Sequence, residues 1–74
     1  MSEIIKGMEL MNLSITYAEA IVQGWKTFKQ VPKYFKSDTA VALIAIYNAE
    51  ELITDPAYVV EAKERIAAAE EQEE

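Results

Sequence analysis

The sequence predicts a small all-α domain of three helices, joined by a bent, proline-containing connector and preceded by an extended N-terminal arm. Three observations indicate this class. The composition, 51% hydrophobic and 27% charged over 74 residues, is typical of a globular chain. Three segments show helix-capping residues followed by helical periodicity, whereas only one short segment alternates like a β-strand. The length allows one domain, residues 1–74, because a chain of this size buries only about 60% of its unfolded surface.

Residues 1–15 are expected to form the arm. Ile4, Met8 and Met11 recur at helical spacing, although Gly7 would weaken such a helix by about 1 kcal/mol. From Met11 onward apolar and polar residues alternate for seven positions, which is the pattern of a strand. The rest of the chain offers no second strand to pair with it. This segment is therefore either an irregular lead-in to a helix or an edge strand completed by another chain.

The first predicted helix covers residues 17–23. Thr16 and Glu19 have the spacing of a capping box, and Gly24 suits the left-handed position after the last turn. Residues 25–36 then form the bent connector. Thr27 and Gln30 form a second capping pair that starts a single turn there. Pro32 interrupts this turn because proline disfavours helix in the residue before it.

The central helix is predicted at residues 38–53, with Ser37 or Asp38 as its cap and the Thr-Asp-Pro sequence at 54–56 as its stop. Its large apolar side chains fall all round the helical wheel. Other elements must therefore cover it on most sides.

The last helix is predicted at residues 56–70, with Asp55 as N-cap and a proline at the first helical position. Glu61 and Arg65 have the i, i+4 spacing of a stabilising ion pair. The acidic tail, residues 70–74, is expected to fray into solvent. The apolar stripe of this helix consists of Tyr58, Val59, Ala62, Ile66 and Ala69.

The composition argues against an enzyme. The chain has no His and no Cys, which excludes zinc fingers and catalysis by imidazole or thiolate. Glu50 and Glu51 are adjacent and so point about 100° apart on a helix, which is unsuitable for a shared-proton pair or a dinuclear metal site. Gly7 and Gly24 are too few and too far apart for a phosphate-binding loop. We therefore expect no catalytic residues, no cofactor and no metal site.

Location follows from the apolar runs. The longest, residues 40–47, has eight residues, whereas a membrane span needs about 20. The N-terminus also lacks the layout of a secretory signal. We expect a protein of the cytoplasm, or one associated with a virion, that does not act in a membrane.

The segment between Glu19 and Asp38 carries four lysines and no other charge, with aromatic residues between them. Ammonium groups beside stackable rings are typical of nucleic-acid sites. The net charge of −6 and the absence of Arg from the segment favour another interpretation, in which Trp25, Phe28, Tyr34 and Phe35 pack in the core and the lysines are solvated. The alternative nucleic-acid site would consist of Trp25, Lys26, Lys29, Lys33 and Lys36.

Three short helices without a disulfide should leave part of the central helix uncovered, so we expect a homo-oligomer. Its interface is predicted at Leu43, Ile46 and Ile53, with Met8 and Met11 as adaptable contacts. Charge allows a further arrangement, in which the lysine segment of one copy meets the Glu-rich last helix of another. Such pairing would orient the copies more than it would stabilise them.

Residues 17–32 carry a recognisable pattern. It consists of Tyr17, Ala18, Ile21, Gly24, Lys26, Thr27, Val31 and Pro32. The pattern resembles one in small proteins encoded by phages and prophages of Gram-positive bacteria, whose genes tend to lie among late structural or lysis genes. The resemblance ends at Pro32 and implies no catalytic residues. It implies a phage-derived protein of interaction or virion assembly, with other phage structural proteins as partners.

Overall fold

The computed structural model describes residues 13–72, and in that range the fold is all-α with no β-strand. This confirms the predicted three-helix domain. Helix α1 comprises residues 13–22, α2 is Lys33–Ala45 and α3 is Pro56–Gln72; the connections contain two single 3-10 turns, Phe28–Gln30 and Glu50–Leu52.

Helix α1 contradicts the strand pattern where the two overlap. Ser14, Ala18 and Ile21 are buried, at the i, i+4, i+7 spacing of one helical face, while Leu13 is exposed. Alternation would have placed Leu13 inward. The capping box at Thr16 is also wrong, because Thr16 lies inside the helix. The remainder of the predicted arm, residues 1–12, lies outside the described residues.

Helix α1 ends as predicted at Gly24, whose φ of 84° is left-handed. The Gly24 N–H donates to the Ile21 carbonyl at 3.1 Å, and the Trp25 N–H donates to the Ala20 carbonyl at 2.9 Å. These two bonds are the pair that defines a Schellman motif. They provide hydrogen-bond donors for two carbonyls at the end of the helix and fix the position of the Trp25 backbone.

The connector begins with the predicted pairing of Thr27 and Gln30. The Thr27 N–H donates to Gln30 Oε1 at 2.9 Å, and the Gln30 N–H donates to the Thr27 carbonyl at 3.0 Å. This turn places Phe28 and Val31 in the core. Pro32 then precedes the first residue of α2 with a ψ of 142°, so it ends the connector and leads directly into the helix.

Helix α2 is displaced from the predicted central helix at both ends. It begins at Lys33, so Ser37 and Asp38 lie inside it rather than capping it. It ends at Ala45 because Asn48 adopts a φ of 50°, and asparagine tolerates the left-handed conformation that stops helices. The chain beyond Asn48 is therefore a turn instead of a continued helix.

Helix α3 begins as predicted. The Ala57 N–H donates to Asp55 Oδ1 at 3.0 Å, which makes Asp55 the N-cap, and Pro56 is the first helical residue. Ala62 is fully buried on the face that packs against α2. Ala69, which the predicted stripe placed on that face, is exposed.

Two ion pairs join α3 to the rest of the chain. Arg65 Nη1 lies 2.8 Å from Asp38 Oδ1 of α2, and Lys63 Nζ lies 2.9 Å from Glu50 Oε1 of the second 3-10 turn. The predicted pairing of Arg65 with Glu61 is wrong, because the guanidinium reaches across to α2. All four side chains are about half exposed, so each pair contributes at most about 1 kcal/mol.

Two buried hydroxyls in the described residues, those of Ser14 and Thr39, have no hydrogen-bond partner. A buried polar group left unpaired costs about 1–3 kcal/mol. Both side chains are small and lie on helix faces that point into the core, so the fold gains close packing at these positions but loses solvation of the hydroxyls.

We predict that Thr39→Val raises the free energy of unfolding by about 1 kcal/mol, because valine keeps the shape and removes the unpaired hydroxyl. Urea denaturation followed by far-UV circular dichroism measures the change. Thr54→Val is the matched control, since Thr54 is exposed and the same substitution there should change little. A loss of stability in Thr39→Val would show that the hydroxyl has a partner.

Candidate interaction surface

The predicted apolar interface is only partly available. Leu43 and Ile53 are buried in the core of a single chain, so their assignment to an uncovered face is wrong. For Ile53 the physical reason is the stop at Asn48, which folds the following segment back into the core, whereas Leu43 lies within α2 on its buried face. Ile46 is 55% exposed. Met8 and Met11 lie outside the described residues.

The aromatic residues around the connector divide into two groups. Phe28 is buried and packs edge-on against Tyr58, with the ring centroids 5.5 Å apart. Phe35 is half-buried beside Tyr17. The positions of Phe28 and Phe35 agree with the prediction that the aromatic residues pack in the core around the bend. The same prediction is wrong for Trp25 and Tyr34.

Trp25 and Tyr34 are 80% and 77% exposed. Trp25 follows the Schellman glycine, where its backbone is fixed by a hydrogen bond while its indole lies in solvent. Tyr34 is the second residue of α2 and packs one edge against Phe35 at a centroid distance of 5.4 Å. Both rings therefore project from a well-defined backbone, and most of their apolar surface is uncovered.

Four lysines belong to the same segment of the chain as these rings. Lys26 Nζ lies 5.8 Å from the Tyr17 ring centroid, and Lys36 Nζ lies 5.7 Å from that of Phe28, which are cation–π distances. Lys29 and Lys33 are exposed. Within residues 13–72, no carboxylate forms an ion pair with any of the four lysines.

The beginning of α2 adds to this positive potential. Its first turn contains no acidic residue, and Pro32 before it provides no side-chain cap. The partial positive charge of the helix N-terminus is thus combined with the lysine charges. We call this region the aromatic–basic surface, and it consists of Trp25, Lys26, Lys29, Lys33, Tyr34 and Lys36.

A second feature is an open groove of about 560 Å³ between the second 3-10 turn and the first turns of α3. Its apolar lining includes Val60, which is 60% exposed. Two carboxylates belong to the lining, Glu50 and Glu51, and the first of them is held by Lys63. We call it the acidic groove, and it is lined by Glu50, Glu51, Ile53, Pro56, Val59 and Val60.

Sequence reasoning missed this groove. A usable signal exists, because Pro56 and Val60 are four residues apart and so share a face of α3 that lies outside the Tyr58–Ala62 core stripe. The existence of a groove also depends on how the second 3-10 turn sits against α3, which local patterns do not specify.

No group of three or more acidic side chains in the described part of the chain is arranged to hold a metal ion. The carboxylate of Glu50 forms an ion pair with Lys63 rather than a shared metal or proton site with that of Glu51. None of the described helices is both long and apolar enough to span a bilayer.

No protein-family model, no curated protein and no solved structure matches this chain. The pattern over residues 17–32 has a structural meaning of its own. Ala18, Ile21 and Val31 are buried in the core, and Gly24 has the left-handed conformation that ends α1. These pattern positions thus build a helix, its stop and the following turn, which together support the aromatic–basic surface.

We predict that Trp25 fluoresces like a solvated indole, with red-shifted emission and efficient quenching by acrylamide, at protein concentrations low enough to disfavour association. It is the single Trp of the chain, so the signal reports on this position alone. Emission from the full chain is compared with that of the urea-unfolded chain. A strong blue shift in the dilute folded protein would show that other residues cover the ring.

Proposed function

We propose that this chain is a non-enzymatic protein–protein interaction protein that assembles with copies of itself through the aromatic–basic surface. The pattern over residues 17–32 supports a phage or prophage origin and a role in virion assembly, in the cytoplasm of the host cell or in the virion itself. Other phage structural proteins would be its further partners.

The observation that carries this proposal is the exposure of Trp25 and Tyr34 on fixed backbone. Tryptophan and tyrosine are the residues most enriched among those that dominate binding energy at interfaces. Side chains held on ordered backbone lose less conformational entropy on binding than side chains of a loose loop. The surface is thus prepared for contact before a partner arrives.

Two further features support self-association. A chain of this length buries only about 60% of its unfolded surface on folding, and association adds buried apolar area that the monomer lacks. Val60 is an additional exposed apolar side chain. The non-enzymatic part of the proposal rests on the absence of His and Cys from the sequence.

We expect the solution mass of the full chain, measured by light scattering, to rise with concentration while acrylamide quenching of Trp25 falls in parallel. Trp25→Ala should weaken association at least about tenfold, because truncating a buried interface tryptophan typically costs 2 kcal/mol or more. The Ala variant should keep its helical circular dichroism, since the indole makes little contact within the chain.

Ile46→Ala is the matched control, since it removes an exposed apolar side chain just beyond the C-terminal end of α2, in a different segment from Trp25. A monomeric mass over a hundredfold concentration range, together with unchanged quenching, would contradict self-association. A loss of association in Ile46→Ala but not in Trp25→Ala would place the interface at the C-terminal end of α2.

A second candidate function is binding of single-stranded nucleic acid. The observation that favours it is that the four lysines beside Trp25 have no carboxylate partner in residues 13–72. Bases can stack on an exposed indole while ammonium groups neutralise phosphates. Against it stands the net charge of −6, which repels a polyanion at longer range.

We predict that if this second function holds, a fluorescent single-stranded oligonucleotide binds with a logarithmic salt slope of about −2.8, the value for four phosphate contacts. Lys29→Gln combined with Lys33→Gln should reduce the slope to about half. Fluorescence anisotropy measures both. The absence of a complex at about 50 mM salt would exclude this function, because phosphate contacts are strongest at low ionic strength.

A further inference from the structure

The acidic groove contains a largely exposed apolar side chain and a carboxylate that has no ion-pair partner in the described residues. Val60 is 60% exposed at its wall. Glu51 forms no ion pair within residues 13–72. The cations of α3, Lys63 and Arg65, are already engaged by Glu50 and Asp38. The groove thus offers apolar surface and one uncompensated carboxylate.

The aromatic–basic surface is complementary to this groove in charge and in apolar character. Trp25 and Tyr34 are exposed rings, and the groove is an open apolar depression against which a ring can pack. Glu51 has no cationic partner in residues 13–72, and the lysines near the rings carry the opposite charge. Apolar contact in the centre with charged groups at the edge is the usual organisation of a specific interface.

The two surfaces do not meet within one molecule, because Trp25 and Tyr34 are 80% and 77% exposed and neither of them lines the groove. Phe28 of the connector contacts Tyr58 on one side of α3. Val60 lies two positions further along the helix, a rotation of about 200°, and Pro56 shares its face. The connector therefore contacts α3 at Tyr58, while Val60 and Pro56 of the groove face away from that contact. A contact between them requires two copies of the chain.

We propose that the aromatic–basic surface of one copy docks into the acidic groove of the next, with Trp25 in the groove and Lys29 or Lys33 beside Glu51. This inference rests on the proposed self-association and names the surface that receives the rings. Two different patches then meet, so the contact is heterologous, and repetition of it produces a closed ring or an open chain of subunits.

The first test compares two substitutions of exposed apolar side chains by lysine. Val60→Lys places a cation at the groove wall and should weaken self-association of the full chain at least about tenfold, as measured by sedimentation velocity. Ile46→Lys makes the same chemical change at a similarly exposed position outside the groove, and it should leave the sedimentation profile unchanged. Circular dichroism verifies that both variants are folded.

The second test mixes complementary variants. Trp25→Ala retains its groove, and Val60→Lys retains its rings, so a mixture should form a one-to-one complex that grows no further. The only tryptophan in the mixture belongs to Val60→Lys, so its acrylamide quenching should fall when Trp25→Ala is added. The double variant Trp25→Ala/Val60→Lys is the matched control and should give no protection.

The role of charge is tested with Glu51→Gln against the pair Glu70→Gln and Glu71→Gln. The glutamates at the end of α3 are exposed and lie outside the groove. Glu51→Gln should weaken association severalfold and flatten its dependence on salt. A larger effect of the α3-end substitutions would overturn the proposal and place the docking site on that acidic end.

Failure of this inference is distinguishable from failure of the proposed function. Association that depends on Trp25 but is unaffected by Val60→Lys would keep the proposed function and overturn the groove as the receiving surface. Protection of Trp25 by the double variant would do the same. A protein that stays monomeric under all conditions would overturn both.

Discussion

The packing of Phe28 in the core is the interaction on which the arrangement of the aromatic–basic surface depends. Its ring packs edge-on against Tyr58 and lies beneath the ammonium group of Lys36, so one side chain joins the connector to α3 and to the start of α2. Trp25 and Tyr34 lie on either side of it in the chain. Because Phe28 is anchored, these two rings have fixed positions without being buried themselves.

Local hydrogen bonding explains which parts of the fold were predictable. The cap at Asp55 and the left-handed stop at Gly24 involve residues within a few positions of each other, so their sequence signals were sufficient. The predicted C-terminal end of α2 is wrong because Asn48 adopts the left-handed conformation that stops helices, and asparagine is an alternative to glycine there. The predicted N-terminal end is wrong because Pro32 leads directly into the helix. The alternation of apolar and polar residues wrongly indicated a strand where it overlaps α1, because the buried face of this segment is the helical face that contains Ser14.

The candidate surface was predictable in composition but not in exposure. The sequence shows that Trp25 lies among lysines, yet whether its ring packs inward depends on the space left by neighbouring elements. The same limit applies to Leu43 and Ile53, which were expected outside and are buried. The acidic groove was missed because it forms between a turn and a helix, and the relative placement of two elements is a property of the folded chain.

The left-handed turn at Asn48 also decides which kind of assembly the chain can form. Had α2 continued to residue 53, Ile46, Ala49 and Ile53 would have recurred at i, i+3 and i+7, the heptad spacing of a coiled-coil seam. Such a seam pairs helices side by side along their length. By ending the helix, Asn48 lets Ala49 and Ile53 enter the core, so this segment presents no such seam to a second helix.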